Sequence, residues 1–159
     1  MVEGFRIRLA TLDDVPTIVH HRHAMFAEMG TGTVESRQAM NEGSEIWLRD
    51  KIACGDYLGF LVVNGADTVV AGAGLWLMDW IPGPLDIQTR RAYILNVYTE
   101  PDYRGRGLAR WLVTSAMDWS REHGLNTVLL HASDAGRPIY ESLGFTASTE
   151  MRLMFSTPS

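Results

Sequence analysis

Between residues 98 and 112 the chain reads YTEPDYRGRGLARWL, which sets Arg104, Arg106 and Arg110 around Gly105 and Gly107 where a β-rich segment gives way to a helical one. The first backbone N–H groups of a helix lack partners within it, and the helix dipole adds partial positive charge at the same point. Glycines keep side chains out of the way of a bulky ligand and arginines add full charges, so the chemistry that suits this stretch is binding of a phosphate or pyrophosphate. The same spacing also suits a plain helix start whose glycines only turn the chain. Two phosphate loops are excluded by particular residues. A nucleotide-hydrolase loop needs Gly-Lys followed by Ser or Thr, whereas Leu108 and Ala109 follow Gly107. A dinucleotide fingerprint needs a third glycine, where Arg110 stands, and an acidic residue closing the next strand, where the sequence reads HAS.

The elements that must position this loop alternate along the chain. FRIRLA, residues 5–10, alternates apolar and polar as a strand does, and Thr11 then caps the apolar-periodic DDVPTIVHHRHAMFAEMG, a helix stopped at Gly30. Residues 35–53 carry Met40, Ile46, Trp47 and Ile52 at helical spacing, but Asn41 and Gly43 interrupt them, which predicts two short helices or one kinked one. Two strands follow, joined at Asn64-Gly65, a dipeptide that supplies the positive φ angles of a tight antiparallel hairpin. After the Pro- and Gly-rich loop IPGPLDIQTRR, the segment RAYILNVYTE, residues 91–100, forms a third strong strand. Leu108, Trp111, Leu112, Ser115, Ala116 and Trp119 then share one helical stripe that ends before Gly124. TVLLHAS reads as a strand, AGRPIYESLG as a short helix and MRLMF as a last strand, giving an α/β fold with a mixed sheet.

Composition narrows the function class. The 159 residues predict a single domain over 1–159, 46% of them hydrophobic and 21% charged. No apolar run reaches the roughly 18 residues that span a bilayer, and the start MVEGFRIRLA lacks the features of a signal peptide, so the expectation is a cytoplasmic protein with no membrane partner. A net charge of -5 with scattered basic residues argues against nucleic acid and favours a cationic or neutral small partner. The one cysteine, Cys54, is expected as a small, partly buried residue near a helix end.

Arg104-Gly105-Arg106-Gly107-Leu108-Ala109 resembles the Gln/Arg-x-x-Gly-x-Gly/Ala pyrophosphate loop of the GNAT superfamily of acyl-CoA-dependent N-acyltransferases. LNVYTEPDYRGRGLAR resembles that family's central strand, Pro turn, loop and helix, and IYESLGF, residues 139–145, its C-terminal Tyr-x-x-x-Gly-Phe motif. The resemblance implies a mostly antiparallel central sheet with one splayed parallel pair, flanked by about four helices. It implies acetyl-CoA as the acyl donor, with pantetheine along Val97, Tyr98 and Thr99 and the pyrophosphate on Arg104, Gly105, Arg106, Gly107, Leu108, Ala109 and Arg110. A backbone N–H near Asn96 or Val97 would polarise the thioester, and Tyr140 would act as the general acid for the leaving thiolate. Where the family often has an asparagine seven residues before the tyrosine, this chain has Ser133, which keeps one hydrogen-bonding contact.

For deprotonating the amine, His131 has a suitable ordinary pKa and Asn96 could orient a water, while each also fits a structural role. The acceptor, a small-molecule amine or an exposed peptide amine, is expected across the first helices and the Pro-rich loop, against Phe26, Met29, Trp76, Asp79 and Trp80. Trp76, Asp79 and Trp80 would make an aromatic wall with one carboxylate, suited to a cation, or else simply pack the third strand. His20, Arg22 and His23 are expected on a solvated helix face, with no metal site. The expected activity is direct acetyl transfer in a ternary complex, the alternative being a non-catalytic acyl-CoA binding or sensor domain. A homodimer is possible because late strands in this fold often pair between subunits.

Overall fold

YLGFLVV and VVAGAGLWLMD are apolar at almost every position rather than at alternate ones, which is the mark of strands covered on both faces. The computed structural model describes residues 1–155 and shows why. Strands β1 (Arg6–Leu9), β2 (Tyr57–Val63), β3 (Val69–Asp79), β4 (Arg90–Thr99) and β5 (Val128–Leu130) form one sheet in the order β1-β2-β3-β4-β5. All neighbours are antiparallel except β4 and β5. Helices α1 (Val15–Glu28) and α2 (Val34–Ala53) cover one face, and α3 (Leu108–Glu122) and α4 (Arg137–Ser142) cover the other.

The two faces carry separate cores. Val15, Ile18, Leu48, Tyr57 and Leu61 cluster under α1 and α2, while Val62, Leu75, Ile94, Leu108, Leu112, Val113 and Ala116 cluster under α3. The buried stripe of α3 is turned from the expected one toward Val113 and Ser120. The Ser120 hydroxyl is satisfied by the Ala116 carbonyl at 2.8 Å, so a polar residue lies inside the core at little cost. Gly124, with φ 73°, ends the helix as expected.

Four details differ from the sequence expectation. First, α2 is one 20-residue helix, because tertiary packing overrides the weak propensities of Asn41 and Gly43. Second, the β2–β3 turn is longer than a two-residue hairpin. The Asn64 N–H donates to the Thr68 carbonyl at 3.0 Å, the Asn64 side-chain oxygen caps Ala66 and Thr68, and the residue at positive φ is Asp67. Third, MRLMF, residues 151–155, is exposed and not a strand, since β5 offers only three residues of ladder to pair with. Fourth, Cys54 is exposed at the C-cap of α2. Among the described residues no helix is long and apolar enough to cross a membrane.

Candidate active site

The site begins where β4 stops being regular. Gly72 of β3 pairs with Tyr98 and Gly74 pairs with Leu95, so β4 carries one residue more than its partner between these pairs. The extra residue makes a bulge, and Asn96 within it takes φ 56°, a left-handed conformation that asparagine tolerates better than most residues. A bulge puts two consecutive side chains on one side of a strand. Leu95 and Asn96 accordingly both line a single cavity of about 420 Å³ between the sheet and helices α1 and α2.

Each wall of that cavity comes from a definite element. Met40, Gly43, Ser44, Trp47 and Leu48 fall at i, i+3, i+4, i+7 and i+8 of α2 and form one face. Trp76 of β3 forms another, its ring edge-on to Trp47 at 5.3 Å. Arg22 of α1 closes the third side and donates from Nη1 to Asn96 Oδ1 at 2.8 Å. The Asn96 amide in turn donates from Nδ2 to the Tyr57 hydroxyl at 3.2 Å. Burial pushes the Tyr57 phenol up to about 12, so it is neutral throughout the physiological range. Tyr57 fits because Gly74 has no side chain: a Cβ there would sit 2.2 Å from its hydroxyl oxygen.

On the opposite side of β4 the sheet parts. The parallel ladder runs only from Ala92–Val128 to Ile94–Leu130, so Leu95 to Thr99 face a gap rather than a strand. Pro101–Tyr103 then makes a short 3-10 turn that leads to Gly105 at φ 74° and Gly107 at φ 78°, the latter being the N-cap of α3. Space beyond both glycines is open, with no heavy atom within 4 Å of where a Cβ would stand. Arg104 is turned away from this opening. Its Nη2 donates to both carboxylate oxygens of Glu28 at 2.8 Å and its Nε to the Thr99 carbonyl at 2.9 Å, which ties the loop to α1. The Arg110 Nη1 reaches Ser142 Oγ of α4, and the Arg106 guanidinium lies 5.4 Å from the centre of the Tyr103 ring.

Tyr140 is buried against Leu108 and its neighbours, edge-on to Phe145, and burial alone raises its phenol above the ordinary value. Gly136 lets it pack closely, since a Cβ there would meet the ring at 2.8 Å, and Ser133 Oγ accepts from the Gly136 N–H at 3.2 Å. His131 is exposed in the segment after β5 and hydrogen-bonds the Tyr93 hydroxyl; it does not line the cavity.

Of the five residues expected at the acceptor site, Trp76 lines the cavity and the others do not. Phe26 lies beneath the Arg22 guanidinium, 5.0 Å from ring centre to Cζ, and Met29 is exposed beyond it. The Asp79 side chain is wholly exposed and Trp80 stacks with Arg91 outside the cavity, so no aromatic wall with a carboxylate forms. The Pro-rich loop is tied down elsewhere, through Asp86 to Asn126 and Thr127. The solvated face expected around His20, Arg22 and His23 holds for His20 alone. His23 bonds Asn41 across to α2, Arg22 is half-buried in the cavity, and the adjacent His21 is 2% exposed. The helical face of α2 was the signal for the missed wall, because two small residues, Gly43 and Ser44, sit there between Met40 and Trp47.

The sequence model of the Acetyltransferase (GNAT) family matches residues 25–145, which span both the cavity wall of α2 and the Tyr140–Phe145 segment. The chain belongs to this family. It is therefore an acyltransferase. A GCN5-related N-acetyltransferase from Ralstonia eutropha superposes with a TM-score of 0.90 at 34% identity, over 96% of this chain and 99% of that one. A Clostridium acetobutylicum protein described as a predicted acetyltransferase, solved with acetyl-CoA, shares the fold with a TM-score of 0.86 at 23% identity, over 95% of this chain and 96% of its own. Among curated proteins, a glucosamine 6-phosphate N-acetyltransferase of Trypanosoma brucei brucei is 40% identical over 62 residues, which is 38% of this chain and 42% of that protein.

Proposed function

We propose that this GNAT protein transfers an acetyl group from acetyl-CoA directly to a primary amine of a small molecule. The observation that carries the proposal is the parting of β4 from β5 beyond Ile94–Leu130, which leaves the stretch of β4 between the Asn96 bulge and the Gly105–Gly107 loop without a strand on that side. The backbone from Val97 to Thr99, paired with β3 on one edge but with no strand on the other, where Arg104 takes the Thr99 carbonyl, would align pantetheine as an added strand would be aligned, and the N–H groups from Gly105 to Arg110 would face the pyrophosphate. Because Arg104 is held by Glu28, its share in anion binding is through its backbone and through fixing the loop.

In the chemical step the amine lone pair attacks the thioester carbonyl carbon. A backbone N–H at Asn96 or Val97 takes the developing oxyanion. The C–S bond then breaks, CoA leaves as thiolate, and the surplus amine proton goes to solvent. Giving a phenol proton outright to a thiolate whose conjugate acid is near 8.5 is uphill by about 1.5 pKa units, or roughly 2 kcal/mol. Tyr140 therefore acts by hydrogen-bonding the sulfur while its charge develops, and recovers a proton from solvent if it loses one. A cavity of about 420 Å³ bounded by two tryptophans suits a small acceptor better than a folded protein surface. The trypanosomal relative is likewise named for a small-molecule amine. Amine-dependent release of free thiol from acetyl-CoA tests the proposal; CoA binding without thiol release across a broad amine panel would overturn it.

A further inference from the structure

Of the partly buried guanidinium groups, three meet carboxylates: Arg8 pairs with Asp14, Arg90 with Asp56 and Arg91 with Asp86. A fourth, Arg37, bonds the backbone carbonyls of Thr31 and Gly32 away from the cavity. Arg22 has neither kind of partner. Its protein partners are the Asn96 carboxamide oxygen, which is neutral, and the face of the Phe26 ring. Burial pulls its pKa down, and the group whose charge acts on it is Tyr57, not a carboxylate. An arginine remains protonated even so, and a charge held in an apolar cavity without a counterion is costly unless something supplies one.

The rest of the cavity offers no counterion. Its lining holds no Asp or Glu, and apart from Arg22 its polar side chains are Ser44, Asn96 and the indole N–H groups of Trp47 and Trp76, none of them charged. A polyamine or other multiply charged cation would meet Arg22 with nothing to offset the repulsion. An oxyanion would meet a planar guanidinium with N–H donors to spare after one is used on Asn96. The apolar body of such a molecule would lie against Trp47 and Trp76. The same positive charge would also lower the pKa of a nearby ammonium group, which favours the neutral amine that the reaction consumes.

We infer that the acceptor is a primary amine that also carries an oxyanion, a carboxylate or a phosphate, held by Arg22 in the α1–α2 cavity. This rests on the acetyl-transfer proposal above and, of the cationic or neutral partner expected from net charge, sets aside the purely cationic one. It follows from one buried side chain, whereas net charge averages over a surface that the acceptor does not touch.

The test uses the intact protein, acetyl-CoA and matched amines: phenylalanine against phenethylamine, glucosamine 6-phosphate against glucosamine, with spermidine as a cationic control. In at least one pair the anionic member should show kcat/KM higher by about 10- to 100-fold, the worth of a hydrogen bond to a charged group, and the responding pair tells carboxylate from phosphate. Arg22→Gln should bring that ratio close to one, and Arg22→Lys should keep part of it. The inference is overturned if the members without the oxyanion, or spermidine, perform as well as those that carry it. It is equally overturned if Arg22→Gln slows both members of a pair alike, since that is the mark of an arginine serving only to hold Asn96. If no amine releases thiol, the acetyl-transfer proposal fails by itself, and calorimetric titration of the same pairs into CoA-saturated protein decides the oxyanion site. Tighter binding of an anionic member, lost in Arg22→Gln, upholds the site; equal or weaker binding overturns it.

Discussion

Arg22 and Asn96, 74 residues apart in sequence, are joined by a 2.8 Å hydrogen bond that fixes the side-chain amide of the one residue of β4 in a left-handed conformation. The bond closes a chain from α1 through the β4 bulge to Tyr57, whose hydroxyl lies over the Cα of Gly74. The bulge is therefore held from both sides. That matters because the backbone on the other side of Asn96 faces the gap where the thioester would lie.

The same chain separates two contributions of Asn96. Replacing it by alanine leaves Arg22 and Tyr57 without a partner, at about 1–3 kcal/mol. It also places a Cβ residue at positive φ without the local hydrogen bonds of an asparagine, at about 1–2 kcal/mol more. Asn96→Gly removes the second cost and keeps the first. Urea unfolding should rank wild type above Asn96→Gly and Asn96→Gly above Asn96→Ala. An alanine variant as stable as the glycine one would mean that the backbone at Asn96 is not constrained as described.

Tyr140→Phe should lower kcat by about 10- to 100-fold, the worth of a hydrogen bond to the charge developing on the leaving sulfur. Affinity for CoA should stay within a factor of about two, since the hydroxyl is one contact among many. Burial raises the Tyr140 pKa above that of a free phenol, so the phenol stays protonated as pH rises, and its deprotonation should not limit kcat anywhere in the neutral or mildly alkaline range. Wild-type turnover in the phenylalanine variant would remove Tyr140 from the chemistry.

What the sequence disclosed, and what it hid, divides along the two faces of the sheet. The loop before α3 and the Tyr140–Phe145 segment were legible as structure because their signals are local: Gly105 and Gly107 ahead of the α3 stripe, and Tyr140 followed by Gly144 and Phe145, each lie within one element or turn. The cavity was not, because it exists only where α1 and α2 pack over β3 and β4. Arg22 sits among three histidines that read as a polar helix face, and nothing in that run says that it points at a residue 74 positions away. Asp79 and Trp80 misled for the converse reason, since they are near Trp76 in sequence but lie past the point where β3 leaves the cavity. MRLMF alternates like a strand, yet alternation expresses only a capacity to pair, and the three-residue β5 gives it too little to pair with.

His21 makes stability depend on pH. Burial holds its imidazole down at about 4 from an ordinary 6.5, against the weaker opposite pull of Glu100, whose carboxylate is 3.4 Å from Nε2. Above pH 6.5 the histidine is neutral in both the folded and unfolded chain, and its contribution is fully present. As pH falls toward 4 the unfolded chain takes up a proton that the folded chain refuses, so stability is lost through that window, by up to about 3 kcal/mol. Urea midpoints measured from pH 7 to 4 should fall more steeply for wild type than for His21→Gln. Parallel curves would show that His21 protonates in the folded state as readily as in the unfolded one.

Gly43 allows stability and acceptor binding to be pushed in opposite directions. It lies inside α2, where glycine costs about 0.5–1 kcal/mol relative to better helix formers, so Gly43→Leu should stabilise the helix. A Cβ at this position meets no heavy atom within 4 Å, so the added side chain has room to enter without disturbing the core. The room it enters is the cavity between Trp47, Trp76 and Arg22. Thermal unfolding should therefore rise by a few degrees while KM for the acceptor rises about 10-fold or more, with CoA affinity unchanged because the gap proposed for the donor lies on the β5 side of β4, away from Gly43. Unaltered acceptor kinetics in a stabilised Gly43→Leu protein would show that the amine binds somewhere other than this cavity.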